Sequence, residues 1–175
     1  ISKVFKDLAN KLNLSIDDFI RTTEDRHKKS VYDLWNKLIK SGDIYLSKYK
    51  GWYSISDEAY YNEDEVIEKE GKKVSTFSGS IVDWVEEESF FFKLSAWEDK
   101  LIDFYNKNEK FILPISRRNE VLKFVKGGLK DLSISRTSFT WGIKTPKNDK
   151  HVIYVWLDAL TNYLSALNFP NEKDN

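Results

Sequence analysis

His151-Val152-Ile153-Tyr154-Val155-Trp156 runs straight into Leu157-Asp158-Ala159-Leu160-Thr161-Asn162-Tyr163-Leu164-Ser165-Ala166-Leu167, and this junction decides the fold. The apolar run from His151 to Trp156 predicts a strand, and Ala159 to Leu167 predicts a helix directly behind it. In open α/β sheets, ligands bind at the carboxyl ends of strands. Trp156, Ala159, Leu160 and Tyr163 would line a small apolar pocket at that point. The competing reading makes Trp156 and Tyr163 core aromatics, and pattern alone favours it.

Upstream, Ser133-Ile134-Ser135-Arg136 follows Asp131 and precedes Trp141-Gly142. An Arg after a short apolar strand can hold a carboxylate or phosphate through paired hydrogen bonds. On pattern alone a surface salt bridge is the commoner fate. Near the start, Val4, Phe5, Leu8 and Leu12 fall on one helical face, and 18–23 reads as a short strand. Thr23 is the expected N-cap of a second helix that buries Val31, Leu34, Trp35, Leu38 and Ile39, with Ser41-Gly42 as its stop. Arg21-Thr22-Thr23-Glu24-Asp25-Arg26-His27 offers hydroxyls at a helix N-terminus that suit an anion, though an ordinary cap with solvated charges explains it better. His27 and His151 are far apart in sequence, and as lone histidines they read as structural or exposed.

The middle of the chain has a different character. Residues 44–46 and 51–54 read as two strands around a Lys50-Gly51 turn, and 57–73 as a charged, exposed excursion. Residues 81–85 and 90–94 read as two further strands. Ser95 with Glu98 reads as a capping box for a helix burying Trp97, Leu101, Phe104 and Tyr105. Ser116 is the expected cap of another, with Val121, Leu122, Phe124 and Val125 inward and Gly127-Gly128 at its end. Strand–helix units at both ends and a β-containing middle predict an α/β fold, a parallel sheet interrupted by an insertion.

Composition narrows the function classes. Of 175 residues, 41% are hydrophobic, enough for a core, and the charged 32% balance to a net charge of zero. That balance argues against a wholly nucleic-acid-coating surface, although a local basic patch is compatible with it. No apolar run is long enough to span a membrane, and no signal peptide opens the chain. The chain has no cysteine, so disulfides and thiolate zinc sites are excluded. Frequent Lys, Asn, Ile and Phe suit a cytoplasmic protein. With no Met, even at position 1, and a helical pattern opening at once, the expectation is an internal piece of a longer protein. No GxxxxGK[ST], GxGxxG, GxSxG or HExxH motif is present.

Three ordered stretches carry a family resemblance. They are Phe19-Ile20-Arg21-Thr22-Thr23-Glu24-Asp25-Arg26-His27, then Gly128-Leu129-Lys130-Asp131-Leu132-Ser133-Ile134-Ser135-Arg136, then Tyr154-Val155-Trp156-Leu157-Asp158-Ala159-Leu160-Thr161-Asn162-Tyr163. Gly51-Trp52-Tyr53-Ser54 and Phe91-Phe92-Lys93-Leu94 fit in the same order. Together they resemble the methionyl-tRNA synthetase family of class I aminoacyl-tRNA synthetases, from about residue 1 to 170. The resemblance implies part of a Rossmann-like catalytic domain interrupted by a connective-peptide (knuckle) insertion. Residues 1–23 would end its first half, 24–113 would be the insertion, and 114–175 would begin the second half.

The resemblance also implies roles. The parent reaction would activate methionine with ATP to methionyl-adenylate and pass the methionyl group to the acceptor end of the methionine tRNA. Trp156, Ala159, Leu160 and Tyr163 would belong to the methionine side-chain pocket, Arg136 would act in activation, and Asp131 and Asp158 would support. Both ATP signature motifs of the class, the His-Ile-Gly-His and Lys-Met-Ser-Lys-Ser types, are missing here. ATP with Mg would therefore be bound largely outside this segment, which alone would make no adenylate. Around residues 45–61, where many members carry Cys-x-x-Cys zinc knuckles, this chain has no thiol. The expectation is a zinc-free knuckle packed by Trp52, Tyr53 and Tyr60, with no metal site. Two alternatives remain: another class I synthetase for a large apolar amino acid, which the Trp156–Tyr163 stretch fits less well, and a non-catalytic tRNA-acceptor-binding module, which would not need catalytic pieces on both flanks.

Overall fold

The computed structural model describes residues 2–57, 59–138 and 140–171. Expectations for Ile1 and for the tail from 172 onward lie outside them. Helix α1 (Ser2–Lys11) forms as the periodicity predicts, but Val4, Phe5, Leu8 and Leu12 are exposed. Residues 18–23 do not form the predicted strand: none of them is paired with another strand, and 22–24 turn into helix α2 (Asp25–Ser41). Glu24, not Thr23, occupies the N-cap, without a side-chain capping bond. The stop is as predicted. Gly42 has φ 78°, a left-handed conformation that glycine adopts without steric cost, and the amides of Gly42 and Asp43 close onto the carbonyls of Ile39 and Leu38. Val31 and Trp35 are buried while Ile39 is exposed; His27 and Ser30, not expected inside, are also buried.

The predicted strand pairs of the middle are single long strands. Strand β1 (Ile44–Ser54) has no turn at Lys50-Gly51. A Cβ on Gly51 would sit 2.9 Å from the Tyr49 ring, so this glycine marks a close approach, not a turn. Strand β1 carries β2 (Ala59–Tyr61) on one edge. After it, β3 (Val66–Lys69) and β4 (Lys72–Ser75) form a separate hairpin, so the charged excursion is structured. Strand β5 (Asp83–Phe92) joins the two predicted pieces and pairs with β1 from Ile44↔Phe92 to Tyr53↔Asp83. In its Glu86-Glu87-Glu88 run, Glu86 and Glu88 lie opposite Lys50 and Lys48, and Glu86 meets Lys48 at 3.2 Å and Lys50 at 3.1 Å. Such opposite-charge cross-strand pairs favour a continuous ladder.

Helix α3 (Glu98–Lys107) follows a 3₁₀ turn, Leu94–Trp97. The predicted capping box is not made. Ser95 bonds Asp131, and the Glu98 carboxylate accepts from the Leu129 amide at 3.0 Å. Of its predicted inward face, Trp97, Leu101 and Tyr105 are half-buried and Phe104 is exposed. Helix α4 (Ile115–Lys126) begins after Pro114, not from a Ser116 cap; Leu122 and Val125 are buried, Phe124 is exposed, and the helix ends at Gly127.

Strand β6 (Leu132–Ser133) adds to β5, giving the order β2-β1-β5-β6. Strand β7 (Ser135–Arg136) starts a second sheet with β8 (Lys144–Thr145) and β9 (Asn148–Ile153), in the order β7-β9-β8. Helix α5 (Val155–Ala166) begins one residue after Tyr154, so Val155 and Trp156 belong to the helix, not to the strand. The architecture is mixed α/β, but every strand pairing among the described residues is antiparallel, correcting the expected parallel sheet. The main core joins Val31 and Trp35 of α2 to Ile44, Ile134, Ile143 and Ile153, with Phe90 edge-on to Trp35 at 5.2 Å. No described helix is long and apolar enough to cross a membrane.

Candidate functional site

Arg136 sits at the meeting point of the two sheets and is 6% exposed. Its placement follows from a buried serine network. The Ser89 hydroxyl donates to the Ser135 carbonyl at 2.9 Å, and the Phe90 amide donates to the Ser135 hydroxyl at 2.8 Å. His151, fully buried, contacts the same hydroxyl through Nδ1 at 3.0 Å and Glu88 through Nε2 at 3.1 Å. These bonds pin β5, β7 and β9 together, so the side chain after Ser135 has a determined origin. One guanidinium nitrogen of Arg136 donates to the Ser133 hydroxyl at 2.6 Å and to the Ser135 carbonyl at 2.8 Å. Its Cζ lies 4.3 Å from the Tyr154 ring centre and 4.6 Å from that of Tyr60. Arg136 is therefore not the surface salt-bridge arginine that pattern favoured. It is a buried cation beside two aromatic faces, an arrangement in which ring quadrupoles stabilise charge.

Glu87 completes this arrangement. It faces inward and is 8% exposed. One carboxylate oxygen accepts from the Thr137 amide and hydroxyl and from the Ser138 amide, the other from the Tyr60 hydroxyl at 3.0 Å. Burial pushes its pKa up, but the hydrogen bonds from Thr137, Tyr60 and Ser138 outweigh that and hold the carboxyl below its ordinary value. Burial pushes the Tyr60 hydroxyl well above the usual tyrosine range.

Tyr154 is the N-cap of α5, so Arg136 lies at the start of the helix that carries the other candidates. Trp156, Ala159, Leu160 and Tyr163 recur at helical spacing on one face. Trp156, Leu160 and Tyr163 are 62%, 55% and 69% exposed. Trp156 and Tyr163 are therefore not core aromatics within the described residues. Trp156 and Leu160 border an apolar groove of about 470 Å³ that Phe92, Trp97, Leu132 and Leu164 also line; Ala159 and Tyr163 lie outside it.

The two aspartates have structural partners. Asp131 accepts from Tyr45 at 2.7 Å and from the Ser95 hydroxyl and amide. Burial pushes it up, but these bonds and the nearby Lys93 charge leave it below the ordinary value. Asp158 contacts His27 Nε2 at 2.7 Å, and His27 Nδ1 contacts the Ser165 hydroxyl at 3.1 Å, locking α2 to α5. Within the Arg21–His27 stretch, Arg26 pairs with Asp18 and Glu24, while Arg21, Thr22 and Thr23 line one open cavity with Phe5 and Phe19.

Residues 54–80 are held by carboxylate, hydroxyl and backbone amide groups. Asp57 accepts from Tyr61 at 2.7 Å, Ser80 at 2.8 Å and Ser78 at 2.5 Å. The Ser54 hydroxyl accepts the Asp57 amide, and the Ser75 hydroxyl accepts those of Phe77 and Ser78. The Ser78, Tyr61 and Ser80 hydroxyls hold Asp57 below its ordinary pKa. Zinc takes thiolate, imidazole and carboxylate ligands; a donor set of one carboxylate and hydroxyls does not fit it. Among the described residues no group of three or more His, Cys, Asp or Glu is placed to hold a metal ion. The expected aromatic packing is present as well: Tyr60 lies 4.6 Å from Tyr53 and 4.0 Å from Tyr49, and Trp52 meets Trp84 edge-on at 5.3 Å.

The model of the family described as tRNA synthetases class I (M) matches residues 1–175. The chain belongs to this family. It is 59% identical over 174 residues to a methionine–tRNA ligase of Rickettsia typhi and 53% identical to one of Brucella suis, in each case across 99% of this chain and 34% of the relative. The synthetase segment thus spans about a third of the length of these relatives. Among solved structures it is similar to Mycobacterium tuberculosis methionyl-tRNA synthetase in complex with methionyl-adenylate, with TM-score 0.87, 48% identity, and coverage of 99% of this chain and 34% of that one. The apo form of the same enzyme matches with TM-score 0.81 and 49% identity.

Sequence reasoning singled out Arg136, named Tyr60 only as a packing residue of the middle segment, and missed Tyr154 and Glu87. The signal for Glu87 was period-two alternation: with Asp83–Phe92 taken as one strand, Val85, Glu87 and Ser89 share the inward face.

Proposed function

We propose that the chain is a segment of a methionine–tRNA ligase. The parent activates methionine with ATP and transfers it to the methionine tRNA in the cytoplasm. The observation that carries this reading is likeness across 99% of the chain to a synthetase holding methionyl-adenylate. Residues 1–23 and 114–175 belong to the catalytic domain on either side of an insertion, 24–113, whose knuckle is zinc-free. The continuous β1–β5 sheet and the Asp57 hydrogen bonds support a self-braced insertion, with α2 packing back on α5.

Trp156, Ala159, Leu160 and Tyr163 form the segment's share of the methionine side-chain pocket. An exposed aromatic–aliphatic face suits a thioether, for which sulfur–aromatic contacts contribute about 0.3–1.5 kcal/mol each. Ala159 leaves room for an unbranched chain, and such shape discrimination amounts to about 1–3 kcal/mol per methylene, so homocysteine is the near competitor. Arg136 acts in activation. Both of its hydrogen bonds among the described residues come from one nitrogen, which leaves donors for the methionine carboxylate or the charge developing on phosphate. ATP with Mg supplies the phosphoryl chemistry and is bound mainly by parts of the parent beyond this segment. Asp131 and Asp158 support the site by orienting their neighbours. Activation needs positioning and charge stabilisation more than covalent help from the protein.

Arg136→Gln in a full-length synthetase carrying this segment is expected to cut methionine-dependent pyrophosphate exchange by roughly 100-fold, the scale for losing a group that stabilises developing charge. Unchanged exchange in a folded variant would refute the role.

A further inference from the structure

The Arg136 guanidinium lies against a residue of β2, an edge strand of the β2-β1-β5-β6 sheet. We propose that Tyr60 on β2 is a positioning residue for Arg136, braced by Glu87; this rests on the activation role of Arg136. The Tyr60 ring centre lies 4.6 Å from Arg136 Cζ. Its hydroxyl donates to one oxygen of Glu87, and the other oxygen of Glu87 holds the amide and hydroxyl of Thr137, the residue after Arg136. One buried carboxylate therefore ties the ring that flanks the cation to the backbone that carries it. Tyr49 packs on the same ring at 4.0 Å and limits its rotation. Next in sequence, Tyr61 is bonded to Asp57, which anchors β2. Arg136 has no carboxylate partner among the described residues, so geometry, not an ion pair, determines where its charge points. A cation with several rotatable bonds stabilises a transition state only when held in place, and the Tyr60 face with the Tyr154 face provides that constraint.

The test is a double-mutant cycle in a full-length synthetase, read by pyrophosphate exchange. Tyr60→Leu is expected to lower kcat roughly 2- to 30-fold, the range of a partly buried cation–π contact, with a smaller change in KM for methionine. Tyr60→Phe keeps the ring and is expected to recover most of that loss. In an Arg136→Gln background, Tyr60→Leu is expected to change the rate by less than about twofold, because neither residue then has its partner. Glu87→Gln provides a second entry to the cycle if Tyr60→Leu unfolds, with the same dependence on Arg136. Wild-type kcat in Tyr60→Leu, with Arg136→Gln impaired, overturns the Tyr60 role alone. So does an equal loss from Tyr60→Leu in both backgrounds. An active Arg136→Gln overturns the activation role of Arg136 and this inference with it.

Discussion

Glu87 is a carboxylate whose stabilising contacts are strongest while it is ionised. Its folded-state pKa lies below the ordinary glutamate value because Thr137, Tyr60 and Ser138 donate to the charged form. A depressed pKa contributes stability that is fully present above the unfolded value and is lost as pH falls through the folded one. Protection of the Thr137 and Ser138 amides from hydrogen exchange, corrected for intrinsic rates, is therefore expected to fall as pH drops below about 4.3. In Glu87→Gln that acid-dependent fall should be absent; protection that is flat with pH in the wild type would contradict the assignment. Asp158 presents a different case. It reads in sequence as a supporting site residue, yet it contacts fully buried His27 at 2.7 Å. Asp158→Ala is expected to destabilise by about 1–3 kcal/mol, because it leaves a buried ring nitrogen without its partner, and Asp158→Asn by less. Urea midpoints equal to wild type in both would show that the contact contributes nothing. The helix carrying Ala159, Leu160 and Tyr163 was legible from its spacing, since helical periodicity depends only on local geometry, whereas Trp156 was read as the end of the strand. The partners of Arg136 were not, because Tyr60, Glu87 and Tyr154 meet through sheet register, which a lone sequence does not display.

The strands show why local reading stops where it does. Lys50-Gly51 and the Glu86–Glu88 run both looked like breaks, one by turn chemistry and one by polarity. Pairing overrode both: Gly51 accommodates the Tyr49 ring, and Glu86 and Glu88 lie opposite Lys50 and Lys48 while Glu87 lies opposite Tyr49 and turns inward. The Ser-x-x-Asp and Ser-x-x-Ser turns at 54–57 and 75–78 likewise had no visible partner in sequence. In the fold they converge on Asp57, with Tyr61, Ser78 and Ser80 donating to it. Asp57→Ala removes a hub of hydroxyl donors and is expected to speed proteolytic cleavage within 57–80 while leaving the α2–α5 core intact. Cleavage at the wild-type rate would contradict a bracing role. Elemental analysis of the purified full-length synthetase is expected to find zinc well below one per chain, and one zinc per chain bound at this knuckle would contradict the oxygen-only brace.

Among the described residues, the apolar surfaces left uncovered include the α1 face of Val4, Phe5, Leu8 and Leu12 and the α5 face of Trp156, Leu160 and Tyr163. The segment spans about a third of its relatives, at 34% of each of the first two. On this account the α5 face is a binding surface for methionine, with Arg136 at its N-terminal end. Trp156 is 62% exposed in this segment, so shortening it should leave the segment's own core intact while removing most of its contact with a bound thioether. The direct test is calorimetric titration of methionine into a full-length synthetase carrying this segment, wild type against Trp156→Ala. Loss of an apolar contact of about 1.5–3 kcal/mol is expected to weaken binding roughly 10- to 100-fold. Methionine affinity equal to wild type in a folded Trp156→Ala would contradict the placement of the pocket on α5.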